Sequence, residues 1–102
     1  MSKKLIIVSP CYNEEAVILE STKTLRSIVD DLISENLIKN DSCILLVDDG
    51  SKDGTWRLIE KLHVRNSSKY KAIKLSKNKG HQIALYAGMM EAYKMKADYV
   101  IT

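Results

Sequence analysis

Four short apolar runs alternate with three longer stretches of helical periodicity, and this alternation limits the possible folds more than any other feature. The runs are rich in β-branched and aliphatic residues, which is typical of parallel strands that are covered on both faces. They occupy residues 5–8, 43–47, 72–75 and 98–101. The order β-α-β-α-β-α-β predicts right-handed crossovers between neighbouring strands. We therefore expect an α/β protein with a Rossmann-like, mostly parallel sheet.

Each stretch between the strands predicts one helix with an apolar stripe. The first helix starts near Glu14, and its apolar residues are Val17, Ile18, Leu25, Ile28, Val29, Leu32 and Ile33. The second starts at Gly54 and Thr55, and its expected core residues are Trp56, Ile59 and Leu62. The third covers about residues 81–95. Its expected core residues are Ile83, Ala84, Ala87, Met90 and Tyr93, with Gln82, Glu91 and Lys94 facing water.

Composition excludes several classes of protein. The chain has 102 residues, enough for one small domain with a modest core. Its net charge of +3 is mild, and we find no basic helix face, so nucleic acid is not an expected partner. Two cysteines, Cys11 in a polar loop and Cys43 in an apolar run, form no metal or disulfide pattern, which favours a reduced, cytosolic setting. No run is long enough for a signal-peptide core or a membrane span.

In open parallel sheets, ligands bind outside the carboxyl ends of the strands, which here means the loops 10–15, 48–54 and 76–80. In the first loop, the ring of Tyr12 is suited to stacking on a flat ligand ring while its hydroxyl stays in water. A purely local role is the alternative for its neighbours. Asn13 would then cap the first helix, and Glu14 and Glu15 would favour its positive end.

The second loop begins with two adjacent acids, Asp48 and Asp49, directly after a buried strand. A carboxylate there can accept an N–H from a nucleobase or help to hold a cation. The alternative is turn chemistry alone, with Asp53 capping the second helix. Turn formation needs only one of the two acids, which favours a ligand role for the pair.

The third loop places Lys77, Lys79 and Gly80 just before a helix. Free backbone N–H groups and the helix dipole favour an anion there, and a lysine-rich surface loop is the alternative. We assign no role to His63 or His81. The chain has neither a G-x-G-x-x-G motif after its first strand nor a P-loop. An aromatic ring, an acidic pair and a phosphate-binding loop together suit a nucleotide diphosphate.

Three segments carry a resemblance to a known family: Ser-Pro-Cys-Tyr-Asn-Glu-Glu at 9–15, Val-Asp-Asp-Gly-Ser-Lys-Asp-Gly-Thr at 47–55, and residues 75–89. In order and spacing they resemble glycosyltransferase family 2, and within it the polyprenyl-phosphate and dolichol-phosphate sugar transferases. The resemblance implies the N-terminal, nucleotide-binding half of a GT-A fold, with residues 1–102 as the nucleotide-sugar-binding part. It also implies a nucleotide-diphosphate sugar as donor and a divalent metal, Mg²⁺ or Mn²⁺.

The resemblance also implies roles for single residues. Pro10, Tyr12 and Glu14 would line the nucleotide pocket, Asp49 would hydrogen-bond the base, and Asp48 would support the loop. Residues 77–80, with Lys77 and Gly80 at their ends, would lie near the diphosphate. No residue of the chain is assigned as catalytic or as a metal ligand, because the family's Asp-X-Asp motif would follow the strand at 98–101, where this sequence stops.

We therefore expect an N-terminal fragment of a transferase that is inactive by itself. Its parent would use a UDP- or GDP-sugar and a lipid-phosphate or glycan acceptor at the cytoplasmic face of a membrane. Apolar surface exposed on such a fragment would favour self-association. The alternative function is a non-catalytic nucleotide-binding or assembly module. A receiver-like signalling domain would need the acidic pair after the first strand, whereas here the pair follows the second.

Overall fold

A computed structural model describes residues 3–102 of the chain. Strands and helices alternate in the predicted order. They are β1 (Leu5–Cys11), α1 (Ile18–Ser34), β2 (Cys43–Asp48), α2 (Thr55–Arg65), β3 (Tyr70–Lys74), α3 (His81–Lys94) and β4 (Tyr99–Ile101). Helix α1 begins later than predicted, because the Glu14 carbonyl accepts hydrogen bonds from the N–H groups of Val17 and Ile18 in a separate turn.

The four strands form one parallel sheet in the order β3-β2-β1-β4. In the central pair, Ile7 lies opposite Ile44 and Cys11 lies opposite Asp48. The carboxyl ends of β1, β2 and β3 therefore meet at one edge of the sheet, as the crossover argument requires. The prediction of an α/β fold with a Rossmann-like parallel sheet is confirmed.

Helices cover both faces of the sheet, which explains the unbroken apolar runs. Along β2, Ile44 and Leu46 pack with α1 and α2, whereas Leu45 and Val47 face α3. The predicted stripe of α2 is confirmed, with Ile59 buried and its neighbours partly buried. In α1 two members of the predicted stripe, Val17 and Ile28, are exposed. Strand β4 lies at the outer edge of the sheet and exposes all three of its residues.

The predicted core face of α3 was right for Ala84 and wrong for its three large apolar residues. Ile83, Met90 and Tyr93 are 54%, 43% and 79% exposed, whereas Ala84, Gly88 and Ala92 are buried against the sheet. The reason is close approach, since a Cβ atom on Gly88 would lie 2.3 Å from Cγ1 of Val8. Small residues let the helix approach the strands, and its larger apolar residues turn outward. No helix within residues 3–102 is long and apolar enough to cross a bilayer.

Candidate functional site

The first two loops are tied together at the carboxyl end of the sheet by side chains that each bond the other loop. The Asn13 N–H donates to Oγ of Ser51 at 2.9 Å, and the Lys52 N–H donates to Oδ1 of Asn13 at 2.8 Å. The Glu14 N–H donates to Oγ1 of Thr55 at 2.8 Å. Asn13 therefore joins loops, and the prediction that it caps α1 was wrong.

Two acids of these loops act at the start of α2. Oδ1 of Asp53 accepts the Thr55 N–H at 2.9 Å, so Asp53 bonds the first N–H of α2 from the residue before its N-cap, Gly54. Oε1 of Glu15 accepts the Gly54 N–H at 3.0 Å, so this glutamate acts at the start of α2 and not of α1. The hydrogen bond from the Thr55 hydroxyl is the largest of the effects that lower the pKa of Asp53. The loops around the site are thus braced by their own polar groups.

The adjacent acids Asp48 and Asp49 lie on opposite sides of the sheet. Asp48 continues the alternation of Ile44 and Leu46, so its side chain lies on the side of α1 and α2, fully buried. Its Oδ2 accepts the Ser51 N–H at 3.3 Å, and its Oδ1 has no partner within the part of the chain that the structure describes. Asp48 therefore stabilises the turn from the side of the sheet that α1 and α2 cover.

Asp49 reaches the α3 side and holds the third loop. Its Oδ1 accepts the Lys79 N–H at 2.8 Å, and its Oδ2 accepts the Gly80 N–H at 3.1 Å and Nδ2 of Asn78 at 3.2 Å. The anion at the start of α3 is therefore a side chain of the protein itself. Two backbone N–H groups that the sequence analysis left free for a ligand are already bound, and that expectation was wrong for these two.

The second and third loops are also pressed together at Gly50. This residue has φ of 71°, and a Cβ atom there would lie 2.3 Å from the backbone nitrogen of Asn78. A side chain at this position would therefore push the two loops apart, besides straining the backbone. The glycine is what allows the Asp49 carboxylate to reach the start of α3.

A cavity of about 200 Å³ opens where the three loops meet. Its lining residues are Pro10, Cys11, Tyr12, Glu14, Asp49, Asn78, Gly80 and His81. Five of the seven residues predicted to bind nucleotide are brought together here. The other two, Asp48 and Lys77, are not among the lining residues. Their proposed roles in binding stay predictions, as do those of the five.

Two lining residues, Cys11 and His81, were missed in the sequence, whereas Asn78 lies within the predicted range 77–80. His81 follows the predicted Gly80 and Cys11 lies between Pro10 and Tyr12, so their positions in the loops were the available signal. Cys11 is not in a polar loop, because it is the last residue of β1 and is buried. Burial, then the charge of Glu14, raises the pKa of its thiol to about 12. It is therefore a neutral thiol and a poor nucleophile at neutral pH.

The described residues do not fit a divalent metal site. Within residues 3–102 no three side chains of His, Cys, Asp or Glu lie close enough together to hold a metal ion. The acidic pair fails for a geometric reason, since the two carboxylates lie on opposite sides of the sheet. Asp49 is also occupied by three hydrogen bonds from the protein. The geometry of the described residues therefore gives no support to a cation bound between these two acids.

Comparison with known proteins agrees with this fold. The sequence model described as "Glycosyl transferase family 2" matches residues 6–102. The chain therefore belongs to glycosyltransferase family 2, which confirms the resemblance seen in its loop motifs.

Named relatives extend the comparison. The chain is 53% identical, over 96% of its length, to the uncharacterized glycosyltransferase YkoT of Bacillus subtilis. It is 33% identical over its full length to a UDP-N-acetylglucosamine–dolichyl-phosphate N-acetylglucosaminyltransferase of Methanococcus voltae. It is 35% identical, over 98% of its length, to an undecaprenyl-phosphate 4-deoxy-4-formamido-L-arabinose transferase of Aeromonas hydrophila. The matches cover 28%, 41% and 28% of these three relatives.

Proposed function

We propose that this chain binds the nucleotide of a nucleotide-diphosphate sugar in a transferase that passes the sugar to a polyprenyl phosphate. The observation that carries the proposal is the cavity at the carboxyl ends of β1 and β2, with the Asp49 carboxylate in its lining and Tyr12 on its wall. The family and the lipid-phosphate substrates named in two relatives support it.

In this proposal Tyr12 stacks on the base. Tyr12 is 41% exposed and lines the cavity, so part of its ring is accessible to a ligand ring. Pro10 and Glu14 form the adjoining wall, and Gly80 leaves open space beside α3, since a Cβ atom there would meet nothing within 4 Å. Lys77 and Lys79 are exposed next to that space and would face the diphosphate.

The bonding of Asp49 makes uracil the better base. A carboxylate offers about four acceptor positions, and three are already used by the protein, so one remains on Oδ1. Uracil presents one N–H on its pairing edge, whereas guanine presents two neighbouring donor groups. One acceptor position can pair with the single N–H of uracil, but it would leave one of guanine's two donor groups unpaired in a buried place. We therefore propose a UDP-sugar as donor rather than a GDP-sugar.

Titration calorimetry tests this choice of base. We expect UDP to bind at least about tenfold more tightly than GDP, the effect of one unpaired buried donor. Affinity should change little with Mn²⁺, because the described residues hold no metal cluster. Tyr12→Ala should weaken UDP binding by about tenfold through lost stacking, and the matched control Tyr12→Phe should bind like the original chain. Equal affinities for UDP and GDP would contradict the role of Asp49.

The acceptor and the location are proposed on the relatives alone. A polyprenyl phosphate is held in a bilayer by its hydrocarbon chain, so the parent enzyme would work at a membrane surface, which we place on the cytoplasmic side. The divalent metal of the family would be held by residues other than those described here. Transfer assays with an undecaprenyl-phosphate acceptor and the longer relative YkoT would test the acceptor class directly.

A further inference from the structure

The sheet has a free edge at β3, whose flanking cavities share no lining residue with the cavity at the three loops. Strand β3 is last in the strand order, and no other strand within residues 3–102 pairs with its outer side. At the two ends of β3, the backbone carbonyl of Lys69 and the backbone N–H of Leu75 form hydrogen bonds to β2. Because bonding alternates along a parallel strand, the backbone groups of Ala72 and Lys74 point outward. These groups are free to form a ladder with one more strand.

Two cavities flank this edge, one on the α2 face of the sheet and one that also includes residues of the α3 face. The first, of about 260 Å³, lies on the α2 side and is lined by Trp56, Glu60, His63, Val64 and Ala72. The second, of about 500 Å³, is lined by Leu45, His63, Lys71, Ala72, Ile73, Glu91 and Met95. Both include Ala72 in their lining. Since side chains of a strand alternate between faces, consecutive residues of an added strand would enter the two cavities in turn.

The edge is strongly basic. Residues 55–74, which hold α2 and β3, contain six lysine and arginine residues and one acid, against 16 and 13 in the whole chain. Arg57, Lys61 and Arg65 are exposed at four-residue spacing on α2, a basic helix face that the sequence analysis overlooked. Lys74 lies over the ring of Trp56, 5.6 Å from its centre, at the rim of the first cavity. Because Glu60 and Glu91 line the two cavities, negative charge on an occupant is favoured beside the lysines of β3 and not inside the cavities.

The charge also argues against a second copy of this chain. Pairing of two β3 strands would bring Lys71 and Lys74 of both copies onto a ladder of five residues, and like charges across a ladder are unfavourable. Lysines at an edge are also a known protection against such pairing. A nucleic acid or a lipid surface would match the charge, yet neither would use the outward backbone groups or the paired cavities.

We propose that the β3 edge binds an extended, acidic segment of a partner protein, which adds to the sheet as a fifth strand. Consecutive apolar residues of that segment would enter the cavities beside Trp56 and Ile73. Acidic residues on either side would meet the lysines and the basic face of α2. This surface is separate from the nucleotide cavity, so the proposal stands whether or not the chain binds a sugar nucleotide.

A synthetic peptide tests the proposal on the chain itself. The probe is a capped peptide of sequence Glu-Asp-Val-Leu-Val-Asp-Glu, titrated while following the fluorescence of Trp56, the single tryptophan. We expect saturable binding with a change in emission. Ala72→Pro should weaken binding about tenfold or more, because it removes an outward N–H and blocks the edge while leaving the ladder to β2 intact. The matched control Ala72→Ser keeps the N–H and should bind like the original chain.

A second experiment on the original chain tests the proposal even if the Ala72→Pro variant fails to fold. The same peptide, N-methylated at alternate residues, keeps its charge and loses the donors of one edge, so it should bind the original chain about tenfold more weakly or worse. Equal binding of the methylated and unmethylated peptides would overturn strand addition. A second result would also overturn it. In that result the peptide does not bind, whereas a DNA oligonucleotide or phosphatidylglycerol vesicles bind the original chain and no longer bind the double variant Lys71→Glu with Lys74→Glu.

Discussion

Asp48 and Asp49 are neighbours in the chain, yet the pleat of the strand puts their carboxylates on opposite sides of the sheet. Asp48 is fully buried beneath the turn, where it accepts the Ser51 N–H. Asp49 is 3% exposed and accepts three hydrogen bonds from the loop before α3. At the residue scale, one acid shapes the second loop and the other fastens the third loop to it. The cavity exists because both do so at once.

Replacement of Asp49 should loosen that attachment. In Asp49→Asn one carboxylate oxygen becomes an NH₂ group. That group faces N–H donors whose hydrogen bonds the carboxylate oxygen had accepted. We expect the free energy of unfolding to fall by about 2 kcal/mol, the usual cost of losing charged hydrogen bonds in a buried place. Urea denaturation measures the change, with the exposed Asp31→Asn as control. A midpoint equal to that of the control would show that the carboxylate does not hold the loop.

Asp53 adds a pH dependence of known sign. Its pKa is lowered in the folded chain, chiefly by the hydrogen bond from Thr55, so its ionised form stabilises the fold above the ordinary aspartate pKa of about 4. That contribution is lost as the pH falls through the lowered value. We expect the original chain to be more stable than Asp53→Asn at pH 7 and the difference to shrink below about pH 4. Urea unfolding at several pH values measures it, and a constant difference would contradict the assignment.

Among the elements, α3 departs most from its pattern. Its sequence is apolar on several faces, so periodicity does not say which face packs on the sheet. Gly88 decides this, because only that face lets the helix come within contact of Val8 and Val47. Its outward residues and those of β4 are apolar and exposed. They are Ile83, Tyr86, Met89, Met90 and Tyr93 on α3, and Tyr99, Val100 and Ile101 on β4. We expect them to promote self-association of the isolated chain.

The contact at Gly88 can be tested by substitutions that change only the size of a side chain. Gly88→Ala would ordinarily favour a helix by about 1 kcal/mol, yet here the new methyl group would lie 2.3 Å from Cγ1 of Val8. We expect a net loss of about 1–3 kcal/mol from overpacking. In Val8→Ala the obstructing methyl group is absent, so adding Gly88→Ala to it should cost much less. Thermal unfolding of all four chains measures this coupling, and strict additivity would argue against the close contact.

Considered as a whole, the molecule is one sheet with a binding edge at the carboxyl ends of its strands. The family is that of glycosyltransferases, while no metal-binding cluster lies within residues 3–102. We therefore predict that the purified chain binds UDP and transfers no sugar when supplied with UDP-N-acetylglucosamine, Mn²⁺ and undecaprenyl phosphate. Radiolabel transfer into lipid measures it, with the Methanococcus voltae enzyme and dolichyl phosphate as positive control. Product formed by the 102-residue chain would show that its own residues suffice.

Several features of this protein follow from the sequence by itself. The spacing of apolar residues determined the order of strands and helices, because burial on one or two faces leaves a local period. The parallel order then placed the site in the loops 10–15, 48–54 and 76–80. Five of the seven candidate residues line one cavity for this reason. Loop motifs alone also pointed to the family that the whole-chain comparison established.

Other features were decided only by the tertiary structure, because they depend on contacts between residues far apart in the chain. The packing face of α3 follows from the fit of Gly88 against Val8. The partners of Asp49 follow from the approach of the third loop to the second, which Gly50 permits. The basic edge of β3 with its two cavities appears only once the strand order leaves that strand outermost. Local periodicity carries no information about which distant surfaces meet, and those meetings set the geometry of the site.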